Sequence, residues 1–362
     1  PPFNPMPPYH ILVINPGSTS TKVAVYEDER PLCVSTIRHT PDELAAYAQI
    51  IDQHDFRRQL VTDWLAQNNI PLRFDAIIGR GGLIKPIPGG VYRVNRKMCF
   101  ETYYALRKHA CNLGCILAYE LAKEQGGGCQ AYIADPVTVD ELVPEARVSG
   151  SPLMPRLAIW HALNQRAIAR RYARQVGCSY NDLNLIVCHL GGGISVAAHE
   201  HGRAIDANNA LDGEGPLSPE RAGTLPAADL IHLCYSGRYT EEQLKKRVAG
   251  QAGLMAHLGT TDILQIMQMI EQDNERARLL INAMIFHTAK QIAAEGAVLC
   301  GRVDAILLTG GMAHSAYITE GIKQRVSYLA PVHVFPGEDE MEALALNALA
   351  VLRGECQAKE YE

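Results

Sequence analysis

Apolar and polar positions along this chain keep two rhythms. Ile11-Leu-Val-Ile14 and Lys22-Val-Ala-Val-Tyr26 are short β-branched runs separated by Asn15-Pro-Gly-Ser-Thr-Ser-Thr21, a stretch of turn formers. The pattern predicts a hairpin with a polar tip. Leu32-Cys-Val-Ser-Thr-Ile37, after the charged turn Glu27-Asp-Glu-Arg30, predicts a third strand. Thr40-Pro41-Asp42-Glu43 then has the residues of a helix start, and the amphipathic stretch behind it predicts a helix to about Asn69. Strands over Ala76–Gly79 and Gln130–Asp135 flank a second helical stretch, Glu101–Glu124, which Gly126-Gly-Gly128 should stop.

The opening layout recurs in mid-chain. Leu185-Ile-Val-Cys-His-Leu190 runs into Gly191-Gly-Gly193, returns as Ile194-Ser-Val-Ala-Ala198, turns at Glu200-His-Gly202 and gives a third strand at Arg203-Ala-Ile205. Strands Val303–Leu308 and Val332–Phe335, with helices near Ser315–Leu329 and Glu338–Leu352, complete this second copy, and a helix near Pro155–Gln175 lies between the copies. Two copies of one α/β unit predict a bilobal protein with a cleft. The expected domains are residues 1–150, joined by the C-terminal helix 340–362, and residues 151–339.

Composition narrows the class. The 362 residues suit two domains of about 150 each. With 47% hydrophobic and 20% charged residues, collagen-like, disordered and coiled-coil classes drop out. The net charge of −5 lacks the basic excess of a nucleic-acid binder, so small-molecule partners are expected. Ten cysteines without a CxxC pair suggest neither zinc nor a disulfide framework, and read as reduced, buried thiols. No apolar run reaches the about 18 residues of a membrane span, and Pro1–Met6 has neither the charged nor the apolar region of a signal peptide. A cytoplasmic location is expected, with Met6 as the natural start and residues 1–5 as an added leader.

Three glycine-containing turns carry the candidate chemistry. Asn15–Lys22 places hydroxyls, an ammonium and lightly shielded backbone at a hairpin tip, a way to present donors to a polyanion. His189-Leu-Gly-Gly-Gly-Ile-Ser195 is its pseudo-symmetric counterpart, and Leu308-Thr-Gly-Gly-Met-Ala313 has a glycine pair after a strand where a flat ligand could approach. A P-loop, a G-x-G-x-x-G after the first strand and the protein-kinase partners HRD and DFG are all absent. Arg80, between Gly79 and Gly81 at a strand end, and Arg221, in a Pro/Gly-rich loop, are placed to bind carboxylate or phosphate with a guanidinium fork.

These turns resemble the phosphate and adenosine elements of the actin, sugar-kinase and heat-shock ATPase superfamily. Within it, Ile11–Lys22, Gly79-Arg-Gly-Gly-Leu-Ile-Lys-Pro86, Ala134-Asp-Pro136, His189–Ser195, Asp206–Pro216, Pro219-Glu-Arg-Ala-Gly223 and Pro336–Leu344 resemble the acetokinase family over nearly the whole chain. The resemblance implies two duplicated ribonuclease-H-like α/β domains flanking a nucleotide cleft. It implies transfer of the ATP γ-phosphoryl to the carboxylate of a short-chain fatty acid, with ATP/ADP and Mg²⁺ as cofactors and a homo-oligomeric assembly.

By the same resemblance, Arg80, Asp135, His189 and Arg221 are catalytic, His189 as a donor to the moving phosphoryl and Asp135 as a carboxylate orienting an arginine or a metal-bound water. Asn15, Gly17, Ser18, Ser20, Lys22, Gly191, Gly192, Gly193, Gly310 and Gly311 are implied to hold the nucleotide. Asn15 stands where many superfamily members have Asp, so Mg²⁺ leans on another carboxylate, Glu340 or, in a different register, Glu338. Gly81, Gly82, His109 and Cys188 are implied to line the acyl pocket, with Asn112 beside His109. In acetate-specific relatives bulkier residues close this pocket, so small ones here imply room for butyrate or isobutyrate. Three rivals stay open: an acetate or propionate kinase of the same family, a sugar or polyol kinase using Asp135 as general base, and an ATP-dependent binding protein.

Overall fold

The computed structural model describes residues 7–105 and 107–362, so the expectation for Met6 and the five residues before it lies outside the described residues. The chain forms two compact units. One runs to Val139 and takes in Asp339–Glu362, and the other is Asp140–Glu338.

In the first unit, β1 (His10–Pro16), β2 (Ser20–Glu27), β3 (Arg30–Arg38), β4 (Ala76–Arg80), β5 (Val91–Arg93) and β6 (Gln130–Ala134) form one sheet in the order β3-β2-β1-β4-β6-β5. The first three are an antiparallel meander, whereas β1, β4 and β6 run parallel, so their carboxyl ends share one edge. β1 reads as an unbroken apolar run because both its faces are covered. Leu12 and Ile14 enter a core with Leu113 and Leu117 of helix Leu113–Gln125, and helix Glu340–Leu352 packs against β1 and β4. Helix Leu113–Gln125 stops at Gly126, whose φ of +69° a side chain would resist, as expected.

The second unit holds β7 (Asn184–Leu190), β8 (Ile194–Glu200), β9 (Arg203–Ala207), β10 (Ala305–Gly310) and β11 (Val332–Pro336), in the order β11-β10-β7-β8-β9. Counted from its first strand, this is the sequence β3-β2-β1-β4-β6 over again, with β7, β10 and β11 parallel. Helix Glu275–Val298 packs on the face presenting Ile186, Cys188 and Leu190, and helix Ala162–Gln175 on the face presenting Leu185 and Val187. The duplicated ribonuclease-H-like architecture implied by the family resemblance is therefore present.

Several expectations need correcting. The helix expected from Pro41 to Asn69 is a short Pro41–Ala45 helix, capped by Thr40, followed by a separate helix His54–Gln67. A second start intervenes, where the extended Gln49 backbone donates to Asp52. The Glu101–Glu124 stretch divides into Arg96–Tyr103 and Leu113–Gln125, and the helix expected from Pro155 begins at Ala162. Residues 140–150 sit with the second unit, because Glu141 pairs with Arg166 and accepts from the Ala204 amide at 2.9 Å, while Val143 N–H donates to Ile205. All ten cysteines are free, but only Cys111, Cys115 and Cys188 are buried, and Cys178, Cys234, Cys300 and Cys356 are exposed. Among the described residues no helix is long and apolar enough to cross a membrane.

Candidate active site

In each unit the expected residues collect where parallel strands end, the place at which open α/β sheets present ligand-binding groups. In the first unit Asn15 is near the end of β1, Arg80 ends β4, and Asp135 follows β6. Glu340, the first residue of helix Glu340–Leu352, joins two of them. Its Oε2 accepts from Asn15 Nδ2 at 2.8 Å and pairs with Arg80 Nη1. Both members of the Arg80–Glu340 pair are largely buried, with side-chain exposures of 12% and 18%, so the attraction is poorly screened by water. Lys22 lies directly across the β1–β2 ladder from Asn15, which places both on one face.

The turn between β1 and β2 closes on itself, since Gly17 N–H donates to Ser20 O at 2.7 Å. Ser18 is exposed at its tip and Ser20 is half-buried. Asp135 is buried and held with φ at +40°, an uncommon state for a side-chain-bearing residue. Two contacts with Gly90 hold it there: Gly90 N–H donates to Oδ1 at 2.7 Å, and Asp135 N–H donates to Gly90 O.

The pocket residues are arranged differently from the expectation. A Cβ on Gly82 would lie 2.6 Å from Asn112 Oδ1, and one on Gly81 would lie 2.7 Å from Pro136 Cβ. These glycines are small because other parts of the chain occupy their side-chain space, and the smallness does not by itself make room for an acyl chain. Asn112 fastens this loop by accepting from Leu83 N–H and donating to Arg107 O. His109 is exposed and caps the short turn Ala110–Asn112, its Nδ1 accepting from Cys111 N–H. Cys188 is a further correction. It faces the hydrophobic core beside Ile186 and Leu190, and since successive strand residues face opposite ways, its thiol points away from the side that carries the His189 ring.

In the second unit His189 is buried next to the end of β7. Asn164 Nδ2 meets its Nδ1 at 2.8 Å and also donates to Thr309 Oγ1. With Asn164 as donor, Nδ1 is the acceptor and Nε2 carries the hydrogen, 3.3 Å from Glu338 Oε2. The ring stacks on His161 at 3.7 Å between centroids. Glu338 and Glu340 are thus separated by role of contact: the former meets His189, the latter Asn15 and Arg80.

The Gly191–Gly193 turn is built around its neighbours. A Cβ on Gly193 would fall 2.1 Å from Arg221 Nη1, and one on Gly191 2.8 Å from His189 Nε2. Arg221 donates from Nη1 to Ala210 O at 2.8 Å, and burial lowers its pKa from the usual guanidinium range. Gly310, at φ +93°, crosses the backbone of Leu190 so closely that a Cβ would lie 2.4 Å from the Leu190 carbonyl, and it exchanges two backbone bonds with Gly337. Gly311 is exposed beyond it.

The family model of the acetokinase family matches residues 158–333. A probable butyrate kinase of Bacteroides thetaiotaomicron is 62% identical over 97% of this chain and 99% of its own length, and butyrate kinase 2 of Clostridium acetobutylicum is 48% identical over 98% and 99%. The chain belongs to the acetokinase family. An acetate kinase of Porphyromonas gingivalis shares the fold with a TM-score of 0.79 at 17% identity, covering 95% of this chain and all of that one.

The Asn15–Glu340 pair brings together one carboxylate, which also meets Arg80, and one amide side chain whose nitrogen faces that carboxylate and whose oxygen is its second polar atom. That hard-oxygen donor set fits Mg²⁺, which usually binds one or two carboxylates together with substrate phosphates. One buried charge near the β1–β2 turn was not among the residues expected from sequence. Arg57 is fully buried under the β1–β2 turn, on the stripe Arg57, Val61, Trp64 and Leu65 of its helix. The available signal was a charge standing in an apolar stripe at helical spacing.

Proposed function

We propose that this protein transfers the γ-phosphoryl group of ATP directly, in line and reversibly to the carboxylate of butyrate or isobutyrate, giving an acyl phosphate and ADP. The observation that carries this reading is the 62% identity over nearly the full length to a probable butyrate kinase. A carboxylate is already a nucleophile, so catalysis reduces to aligning two anions and neutralising the charge on the phosphoryl in transit. Arg80 and Arg221 are the guanidinium groups for that work and His189 Nε2–H is the neutral donor. What supports them is their position at strand and turn ends with restrained side chains. Asp135 acts as a positioning carboxylate.

The nucleotide phosphates are assigned to Asn15, Gly17, Ser18, Ser20 and Lys22 and to Gly191, Gly192 and Gly193, and the adenosine to Gly310 and Gly311. Glu340 and Asn15 would hold Mg²⁺, which when bound would supply charge neutralisation at the phosphates. Because the reaction consumes ATP, we place it in the cytoplasm. We also propose a homo-oligomer, supported by helix Ala227–Cys234, every residue of which is exposed or half-buried although Ile231 and Leu233 are apolar.

The preference for four carbons rests on the relatives' names, since Gly81 and Gly82 answer to packing. Each CH₂ buried by the substrate contributes about 0.8 kcal/mol, so two more than acetate should raise kcat/KM roughly ten-fold. Steady-state kinetics with acetate, propionate, butyrate, isobutyrate and glucose measure this. Acetate or propionate as the best substrate would shift the specificity, and turnover of glucose alone would overturn the reaction class.

A further inference from the structure

A fully buried arginine is costly unless its five N–H groups find acceptors. Among the described residues no carboxylate pairs with Arg57, and burial lowers its pKa to about 10. Its acceptors are instead carbonyls of the β1–β2 turn. Nη1 donates to Gly17 O at 2.7 Å, to Ser20 O at 3.1 Å and to Thr21 Oγ1 at 3.2 Å, and Nη2 donates to Ser18 O at 3.4 Å. Gln53 Oε1 receives Nε and Nη2 at 3.1 and 2.8 Å, which fixes the plane of the guanidinium.

We infer that Arg57 is a positioning residue that aims the amides of the β1–β2 turn at the phosphates of the nucleotide; this rests on the function proposed above. Among the described residues no peptide is cis, and in a trans peptide the C=O and the next N–H point in opposite directions. Drawing the Gly17 and Ser18 carbonyls inward to Arg57 therefore turns the Ser18 and Thr19 N–H groups outward, at the exposed tip of the turn. Two adjacent outward amides over a buried cation form a concavity suited to an anion. The next carbonyl, Thr19 O, is taken by His39 N–H at 2.9 Å, and Thr21 Oγ1 lies 2.9 Å from His39 Nε2, so the turn is clamped from a second side. A lysine has one point charge and cannot serve several carbonyls in a fork.

The test uses the full chain, with ATP binding read by calorimetry and steady-state kinetics varied in each substrate. Arg57→Lys and, more mildly, Gln53→Leu should raise the Kd and KM for ATP, the former about ten-fold or more, while KM for butyrate changes less than about two-fold. Guanidinium ion added to Arg57→Ala should restore part of the ATP affinity. Unchanged ATP affinity in a cooperatively melting Arg57→Lys overturns the inference and leaves the function standing. So does equal loss for both substrates without guanidinium rescue, which marks a purely structural arginine. A wild-type chain that binds no ATP overturns the function and this inference together.

Discussion

In the proposed function the charge work falls to Arg80 and Arg221. Arg80 is held by Glu340 in one unit, and Arg221 is laid against Gly193 in the other. The contact of each guanidinium with the phosphoryl should strengthen as charge spreads over that group, so Arg80→Ala and Arg221→Ala should each lower kcat by about 10² or more, with a smaller effect on KM. Stopped or continuous ADP-release assays give the split, and near-wild-type kcat in both variants would remove these arginines from the mechanism. The strand-end placement of Arg80 and His189 is legible because they stand beside glycines at the ends of β-branched runs. Cys188 was misread although strand alternation alone sends neighbouring side chains to opposite faces, and His189 is its neighbour. Arg57 was illegible as a turn-holding group, because its acceptors are backbone carbonyls about 40 residues away in sequence, which no local pattern reports.

At the scale of elements, the strands were read to within a residue or two, apart from the three-residue β5, since apolar runs bounded by turn formers leave little choice. Helix limits were read poorly where side chains outside the usual capping set intervened, as at Gln49. Gly81 and Gly82 are expected as pocket groups, yet a Cβ on either would meet Pro136 or Asn112, and other glycines serve packing too. β4 approaches helix Leu113–Gln125 so closely that a Cβ on Gly114 would lie 2.1 Å from the Arg80 carbonyl, and one on Gly79 would lie 2.0 Å from the Gly114 carbonyl. Overpacking of this kind costs typically about 1–3 kcal/mol and more when backbone must move. Gly82→Ala should therefore lower unfolding stability by at least about 1 kcal/mol without making acetate the preferred acid. Denaturant melts and the same acid series decide it. A stable Gly82→Ala enzyme switched to acetate would restore the pocket role.

For the whole molecule, duplication explains why the fold was readable: one strand order serves both units, and the two hairpins announce it. The proposed homo-oligomer rests on helix Ala227–Cys234, which carries apolar residues outward. Ile231 is 58% exposed and Tyr235 just beyond the helix is 89% exposed. Ile231→Glu should lower the solution mass measured by light scattering, and an unchanged oligomer would mean that association uses another surface.

The account depends on the acceptor being a carboxylate, and hydroxylamine reads that directly. Incubated with the protein, ATP, Mg²⁺ and butyrate, it should yield butyryl hydroxamate in step with ADP release, because an acyl phosphate acylates the amine. ADP release that depends on an alcohol acceptor, with no hydroxamate from butyrate, would contradict it.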